Sequence, residues 1–231
     1  MVVGVSSLKT DCGIRQGILA GKTVMVIDRD FHARRAWTAE LEAVGFGLIL
    51  TAGDFETARL HLRQTPSNMF FIDPHTGADI DEGFDFIRRI RSRFSEGIVA
   101  VLTGAPSLGL CYRAVRAGVS DFLVKGPYLS IATEALRLIE SQSRKSCLRK
   151  REPLFATGLF SSVGITRGEL AILEEFANGF PKQQDIAKRL DKDEVYVRKV
   201  FSRVYKKMES YFPVNNQAQL SHIMTICSLF E

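Results

Sequence analysis

Short, unbroken apolar runs alternate with amphipathic stretches through the first two thirds of the chain. VMVID (24–28), GLILT (47–51), MFFID (69–73), IVAVLT (98–103) and DFLVK (121–125) are too short for helices and are apolar on consecutive positions. That pattern predicts strands buried on both faces. Between them, 31–44, 54–64, 83–94, 107–117 and 128–146 read as helices. The first places Phe31, Trp37, Leu41 and Val44 on its apolar face, and the second Phe55, Ala58, Leu60 and Leu62. The third places Phe84, Phe86, Ile87 and Ile90 on one side, with Arg88, Arg89, Arg91 and Arg93 mostly outside. Five βα units of this kind predict an α/β domain with a parallel sheet.

From residue 165 the periodicity is helical throughout. Thr166 followed by Glu169 has capping-box spacing, and Gly179 reads as the stop. KQQDIAKRL (182–190) reads as a short helix with Ile186, Ala187 and Leu190 inward. Asp193 stands where an N-cap belongs, ahead of a helix over 194–209 with Val197, Val200 or Phe201, Val204 and Met208 as its apolar stripe. Arg198, Lys199, Ser202, Arg203 and Lys206 fall outside that stripe. A short helix, a tight turn and a basic helix are the parts of a helix-turn-helix. A last helix is expected over 216–229.

Charge sharpens this division. Residues 1–143 carry 16 Lys+Arg and 16 Asp+Glu, whereas 144–231 carry 15 and 10, so the whole +5 excess lies in the last third. A neutral half followed by a basic one suggests that the second meets a polyanion. No apolar run approaches a membrane span, and no secretory leader is read at the start. Four scattered cysteines (Cys12, Cys111, Cys147, Cys227) read as free thiols, and together these features point to the cytoplasm.

The chemistry gathers at the strand ends. Asp28, Asp73, Thr103 and Lys125 end the first, third, fourth and fifth apolar runs. In open parallel sheets, sites form outside the carboxyl ends of the strands. Two carboxylates, a hydroxyl and an amine suit the formation of an acyl phosphate on aspartate, which needs cations and a hydroxyl around the new group. No catalytic residue of an enzyme is assigned.

The spacings of 45, 30 and 22 residues between those four positions, set in VMVID, MFFID, VAVLTG and GVSDFLVKG, resemble the receiver domain of response regulators. That likeness covers about 22–142. It implies a flavodoxin-like (βα)5 fold, Asp73 as phosphoacceptor, Thr103 as switch hydroxyl, Lys125 as phosphate partner and Phe122 as the aromatic that turns inward. Mg2+ held by Asp28 and Asp73 is the cofactor it implies. Two departures bear on this. The order Asp28-Arg29-Asp30 puts a guanidinium where the family carries its second acid, and PHTGADIDEG makes the loop before Gly83 two residues longer. A unit charge at ~4 Å and an effective dielectric near 20 is worth about 4 kcal/mol, enough to disfavour the ion. Two readings follow: phosphorylation of Asp73 with weak or no Mg2+, or pairing of Arg29 with Asp73 in a domain that works without phosphate.

ITRGE, the ANG segment, DIAKRL, VYVRKVFSRV and VNNQAQL resemble the LuxR-type (NarL-like) DNA-binding domain over 163–231. That likeness implies Arg198 and Lys199 in the major groove, Lys182, Ser202, Arg203 and Lys206 at groove or backbone, and a dimer-forming last helix. The expected organisation is an extension over 1–21, a receiver-like domain over 22–142, a linker over 143–162 and a helix-turn-helix over 163–231. The expected partners are double-stranded DNA and a second copy, with a sensor histidine kinase and RNA polymerase implied, and no membrane. An enzyme reading also exists: VMVIDRDF resembles the first motif of haloacid-dehalogenase-like phosphatases, with Asp28 as nucleophile and Asp30 as acid/base. It leaves Asp73 and the basic last third without roles.

Overall fold

The computed structural model describes residues 19–147, 157–177, 182–214 and 216–228. The expectations for the N-terminal extension, Gly179 and the middle of the linker lie outside these residues.

The sheet strands are β1 (Thr23–Ile27), β2 (Leu48–Ala52), β3 (Met69–Ile72), β4 (Ile98–Thr103) and β5 (Asp121–Val124). They stand in the order β2-β1-β3-β4-β5, the flavodoxin-like order, with β1 parallel to β2 and β3, and β3 parallel to β4. In register, Ile27 faces Ile72 and Ile72 faces Val101. β3, β4 and β5 are buried at every position, as continuous apolar strands require. The edge strand β2 is less so.

The helices are α1 (Phe31–Ala43), α2 (Phe55–Gln64), α3 (Ile80–Arg93), α4 (Leu108–Arg116), α5 (Ile131–Cys147), α6 (Thr157–Ser162), α7 (Arg167–Ala177), α8 (Gln183–Arg189), α9 (Glu194–Glu209) and α10 (Gln217–Ser228). The chain divides into two compact units. One runs to Val101 and includes Ser130–Arg144; the other comprises Leu102–Leu129 and the residues from Lys145 onward.

In the first unit, α1 and α2 pack on β2. Trp37 and Leu41 are buried as expected, but Phe31 is 56% exposed. It is the first residue of α1, beyond the reach of the sheet, and Arg34 and Arg35 lie near its ring instead. Leu60 is also exposed, on the outer side of α2. α3 starts at Ile80 rather than 83. Asp79 caps it by accepting the Glu82 N–H at 2.8 Å, and Asp81 and Glu82 favour its positive end. Gly83 is therefore helical, and its role is close approach: a Cβ there would lie 2.1 Å from the Pro74 carbonyl oxygen.

In the second unit, the edge of β5 is covered by α6, which lies in the stretch expected to be linker. Ser162 Oγ accepts the Val124 N–H at 3.0 Å and donates to Leu159 O at 2.8 Å. Leu159, Phe160 and Val163 are buried beside it. Covering an edge strand in this way satisfies its open ladder. At the turn after α6, Gly164 has φ +80, and a Cβ there would meet the Tyr128 ring at 2.9 Å. α10 packs on α4 and α7. Among the described residues, no helix is long and apolar enough to cross a membrane.

Candidate phosphoacceptor residues and nucleic-acid interface

Asp28 directly follows β1 and Asp73 directly follows β3. Because Ile27 and Ile72 are in register, the two aspartates leave neighbouring strands at one level. The Asp73 N–H donates to Ile27 O at 2.8 Å, extending the ladder to the acceptor itself. Asp28 is fully buried and Asp73 is 6% exposed, so each carboxylate needs donors around it. Asp28 Oδ1 accepts the Asp30 N–H at 2.8 Å. Asp73 Oδ1 accepts the His75 N–H at 2.9 Å, in the turn Pro74–Thr76, and the His75 imidazole Nδ1 lies 3.3 Å from the same oxygen. The guanidinium of Arg34, from the first turn of α1, donates to the Asp28 carbonyl oxygen. His75 and Arg34 are contributors that the sequence reading missed.

Arg29 and Asp30 do different work from each other. Arg29 is exposed and, among the described residues, makes no hydrogen bond or ion pair; its guanidinium does not sit on Asp73 in this structure. Asp30 Oδ1 accepts the N–H groups of His32 at 2.9 Å and Ala33 at 3.2 Å. It is the N-cap of α1. A carboxylate committed to a helix start is poorly placed to act as the acid/base of a phosphatase, which counts against the enzyme reading.

In the second unit, Thr103 ends β4 fully buried, and its Oγ1 accepts the Ala105 N–H at 3.1 Å. Lys125 follows β5 and is half-buried, and its backbone N–H donates to Thr103 O at 2.8 Å. Phe122 is fully buried. Sheet order thus neighbours Asp28 with Asp73, and Thr103 with Lys125.

Mg2+ prefers several oxygen ligands in an octahedron. The donors here do not fit that need. Asp30 is turned to cap α1, Arg29 adds a positive charge beside Asp28, and among the described residues no group of three or more His, Cys, Asp or Glu could hold a metal ion.

The second candidate site is the α8–α9 pair. Ile186 and Ala187 of α8 are buried, Leu190 is half-buried, and Asp191 turns the chain with φ 51. Asp193 caps α9 by accepting the Val195 N–H at 2.6 Å. Val197, Val200, Phe201, Val204 and Met208 form the buried stripe, with Phe201 edge-on to Phe176 at 5.5 Å between ring centres. Arg198, Lys199, Ser202, Arg203 and Lys206 are all exposed on the remainder, as is Lys182 before α8. Arg198 pairs with Glu194 at 3.0 Å. Val195 and Tyr196, exposed at the start of α9, were not singled out from the sequence because they look like ordinary apolar positions.

Glu169 braces this arrangement. It completes the capping box, accepting the Thr166 N–H at 2.9 Å while its own N–H donates to Thr166 Oγ1 at 3.3 Å. Its other bonds reach α9: Arg203 Nε lies 3.3 Å away and Lys207 Nζ 2.6 Å. Lys207 also donates to Gly164 O at 2.8 Å. Burial raises the Glu169 pKa, but hydrogen bonds from Lys207 and Thr166, with the Lys207 charge, outweigh it and hold the group below its ordinary value.

No family model matches the sequence, and no curated protein matches it. Similar solved structures are response regulators. One from Thermotoga maritima is 30% identical, covering 52% of this chain and 98% of its own, with TM-score 0.46. The RcsB response regulator of Salmonella typhimurium is 17% identical over 88% of this chain and 98% of its own, with TM-score 0.45. A Burkholderia pseudomallei response regulator, solved with a phosphorylated aspartic acid, a calcium ion and citrate, is 18% identical over 75% of this chain and 94% of its own, with TM-score 0.45.

Proposed function

We propose that this chain is a DNA-binding transcriptional regulator of two-component type, in which a receiver-like domain over 22–142 controls a helix-turn-helix output over 163–231. It acts as a homodimer on a two-fold site and is a regulator, not an enzyme. The observation that carries the reading is α9: an apolar stripe seated in the helical core, with four cations and Ser202 exposed on the opposite side. A helix of that kind fits the major groove, its first turns reading base edges and its cations meeting phosphates. Val195, Tyr196, Arg198 and Lys199 occupy the reading positions. Lys182, Ser202 and Lys206 meet the backbone, and Arg203 divides its charge between DNA and Glu169.

In the receiver-like part, Asp28, Asp73, Thr103 and Lys125 form the pocket, with Asp73 as acceptor position and Phe122 as the buried aromatic. The helix-capping role of Asp30 favours control without phosphate, since it leaves the pocket short of a metal-holding acid. A conventional regulator phosphorylated at Asp73 is the second reading, favoured by the register of Asp28 with Asp73. A histidine kinase partner belongs to that second reading; RNA polymerase is the downstream partner in either.

The test is selection of binding duplexes from a random pool, followed by fluorescence anisotropy. The expected result is saturable binding whose affinity falls steeply with salt. Lys199→Ala should lose about 1–3 kcal/mol and relax preference at one base position, while Lys206→Ala should weaken all sequences alike and reduce the salt slope by about one. No affinity for any duplex at low salt overturns the reading.

A further inference from the structure

The groove between α2 and α3 carries chemistry that DNA binding does not use. Leu62, Phe86 and Ile90 form its floor, Arg59, Arg63, Arg89 and Arg93 form its rim, and its volume is about 340 Å³ less about 110, that is about 230 Å³ against the 340 Å³ of a polar cleft at the opposite strand ends. On each helix the two arginines stand four residues apart, so they share a face one turn from each other.

The four cations fall into two pairs by role. Arg59 is held by Glu56 at 3.2 Å and Glu82 at 3.9 Å and lies over the Phe86 ring at 5.6 Å. Arg93 donates to Leu62 O at 3.2 Å and lies over Phe94 at 5.3 Å, tying α3 to α2. Arg63 and Arg89, by contrast, are exposed and make no ion pair or hydrogen bond among the described residues. The attraction of cations to helix C-termini accounts for Arg63 and Arg93 in their last turns. It does not account for Arg89, or for an apolar seam laid between two cationic rows.

We propose that this groove docks an acidic amphipathic helix from a partner protein. One large apolar side chain of that helix seats over Leu62 and Ile90, and carboxylates four residues apart meet Arg63 and Arg89. Three features select this occupant. Guanidinium groups take carboxylates in a planar, bidentate pairing. Carboxylates one turn apart on a helix match arginines one turn apart on α2 and α3. The apolar floor gives an amphipathic helix an anchor site, which a sugar-phosphate backbone has no side chain to fill. The proposal does not rest on the DNA-binding reading and stands or falls separately from it.

The test uses the full chain and a fluorescein-labelled, alanine-rich synthetic peptide carrying one leucine flanked by glutamates four residues apart. Anisotropy should report saturable binding, weakened at least about tenfold when the leucine is replaced by serine, and weakened at least about tenfold by Arg63→Glu with Arg89→Glu, the scale of losing charge-assisted hydrogen bonds. The double variant should keep the wild-type melting temperature and its duplex affinity. Should charge reversal lower the melting temperature, Arg63→Ala with Arg89→Ala replaces it. Absence of peptide binding, or equal binding of the leucine and serine peptides, overturns the proposal. So does a loss of duplex affinity in the double variant, which assigns the groove to nucleic acid, or a loss of self-association in sedimentation, which assigns it to a second copy.

Discussion

Asp30 is a carboxylate withdrawn from a pocket by the helix that follows it. Two residues past Asp28 it is near enough in sequence to serve there, yet it accepts two N–H groups at the start of α1. Such a cap is worth about 1 kcal/mol, and moving the carboxylate into the pocket would forfeit it. Arg29, between the two aspartates, adds a cation at the remaining position. Arg29→Asp should therefore restore what the pocket lacks. In isothermal titration the wild-type chain should show no saturable Mg2+ uptake in the millimolar range. Arg29→Asp should gain at least about tenfold in affinity, since relief of one nearby like charge is worth about 1.4 kcal/mol or more. Equal Mg2+ binding by both proteins would show that Arg29 does not govern the site.

Among the elements, α7 and α9 depend on a shared residue. Glu169 caps α7 and holds Lys207 and Arg203 of α9. Its folded-state pKa is depressed, so its contribution is present above the unfolded value near 4.5 and is lost as pH falls through the lower folded value. Glu169→Gln should lower the stability of the C-terminal helices by about 1–3 kcal/mol at neutral pH, as Lys207 loses its anion. The variant and the wild type should converge in melting temperature below the folded pKa, in thermal melts across pH 3–7. A constant gap across that range would show that the carboxylate charge contributes nothing. The sequence made much of this level legible. β4 and α9 fall at the residues that periodicity assigned, because each is long and strongly patterned. The strand ends carrying Asp28, Asp73, Thr103 and Lys125 were legible because a polar residue closing an apolar run is conspicuous. α6 was not, because Gly158 and two serines gave its six residues the composition of a linker, and its burial comes from β5. His75 and Arg34 were not either, since their roles come from a turn and a helix start rather than from a pattern.

For the whole molecule, the division of charge sets the question of control. The near-neutral first 143 residues and the basic remainder, which holds the +5 excess, have different partners in this reading. A signal in the first part affects DNA binding only insofar as it is bound differently in the two functional states. Phosphate on Asp73 would bring nearly two negative charges to a site where His75 and Asp28 are the neighbours in its own unit. With Asp30 committed to α1, no metal-holding acid set is present to offset them. Incubation of the full chain with acetyl phosphate and Mg2+ should therefore leave the intact mass unchanged. Asp73→Ala should bind the selected duplex within about threefold of wild type, a difference below 1 kcal/mol. A stoichiometric mass gain of one phosphate, lost in Asp73→Ala and accompanied by tighter duplex binding, would instead mean that Lys125 and Thr103 suffice to stabilise the acyl phosphate, and that this pocket switches the DNA-binding helices by conventional phosphorylation.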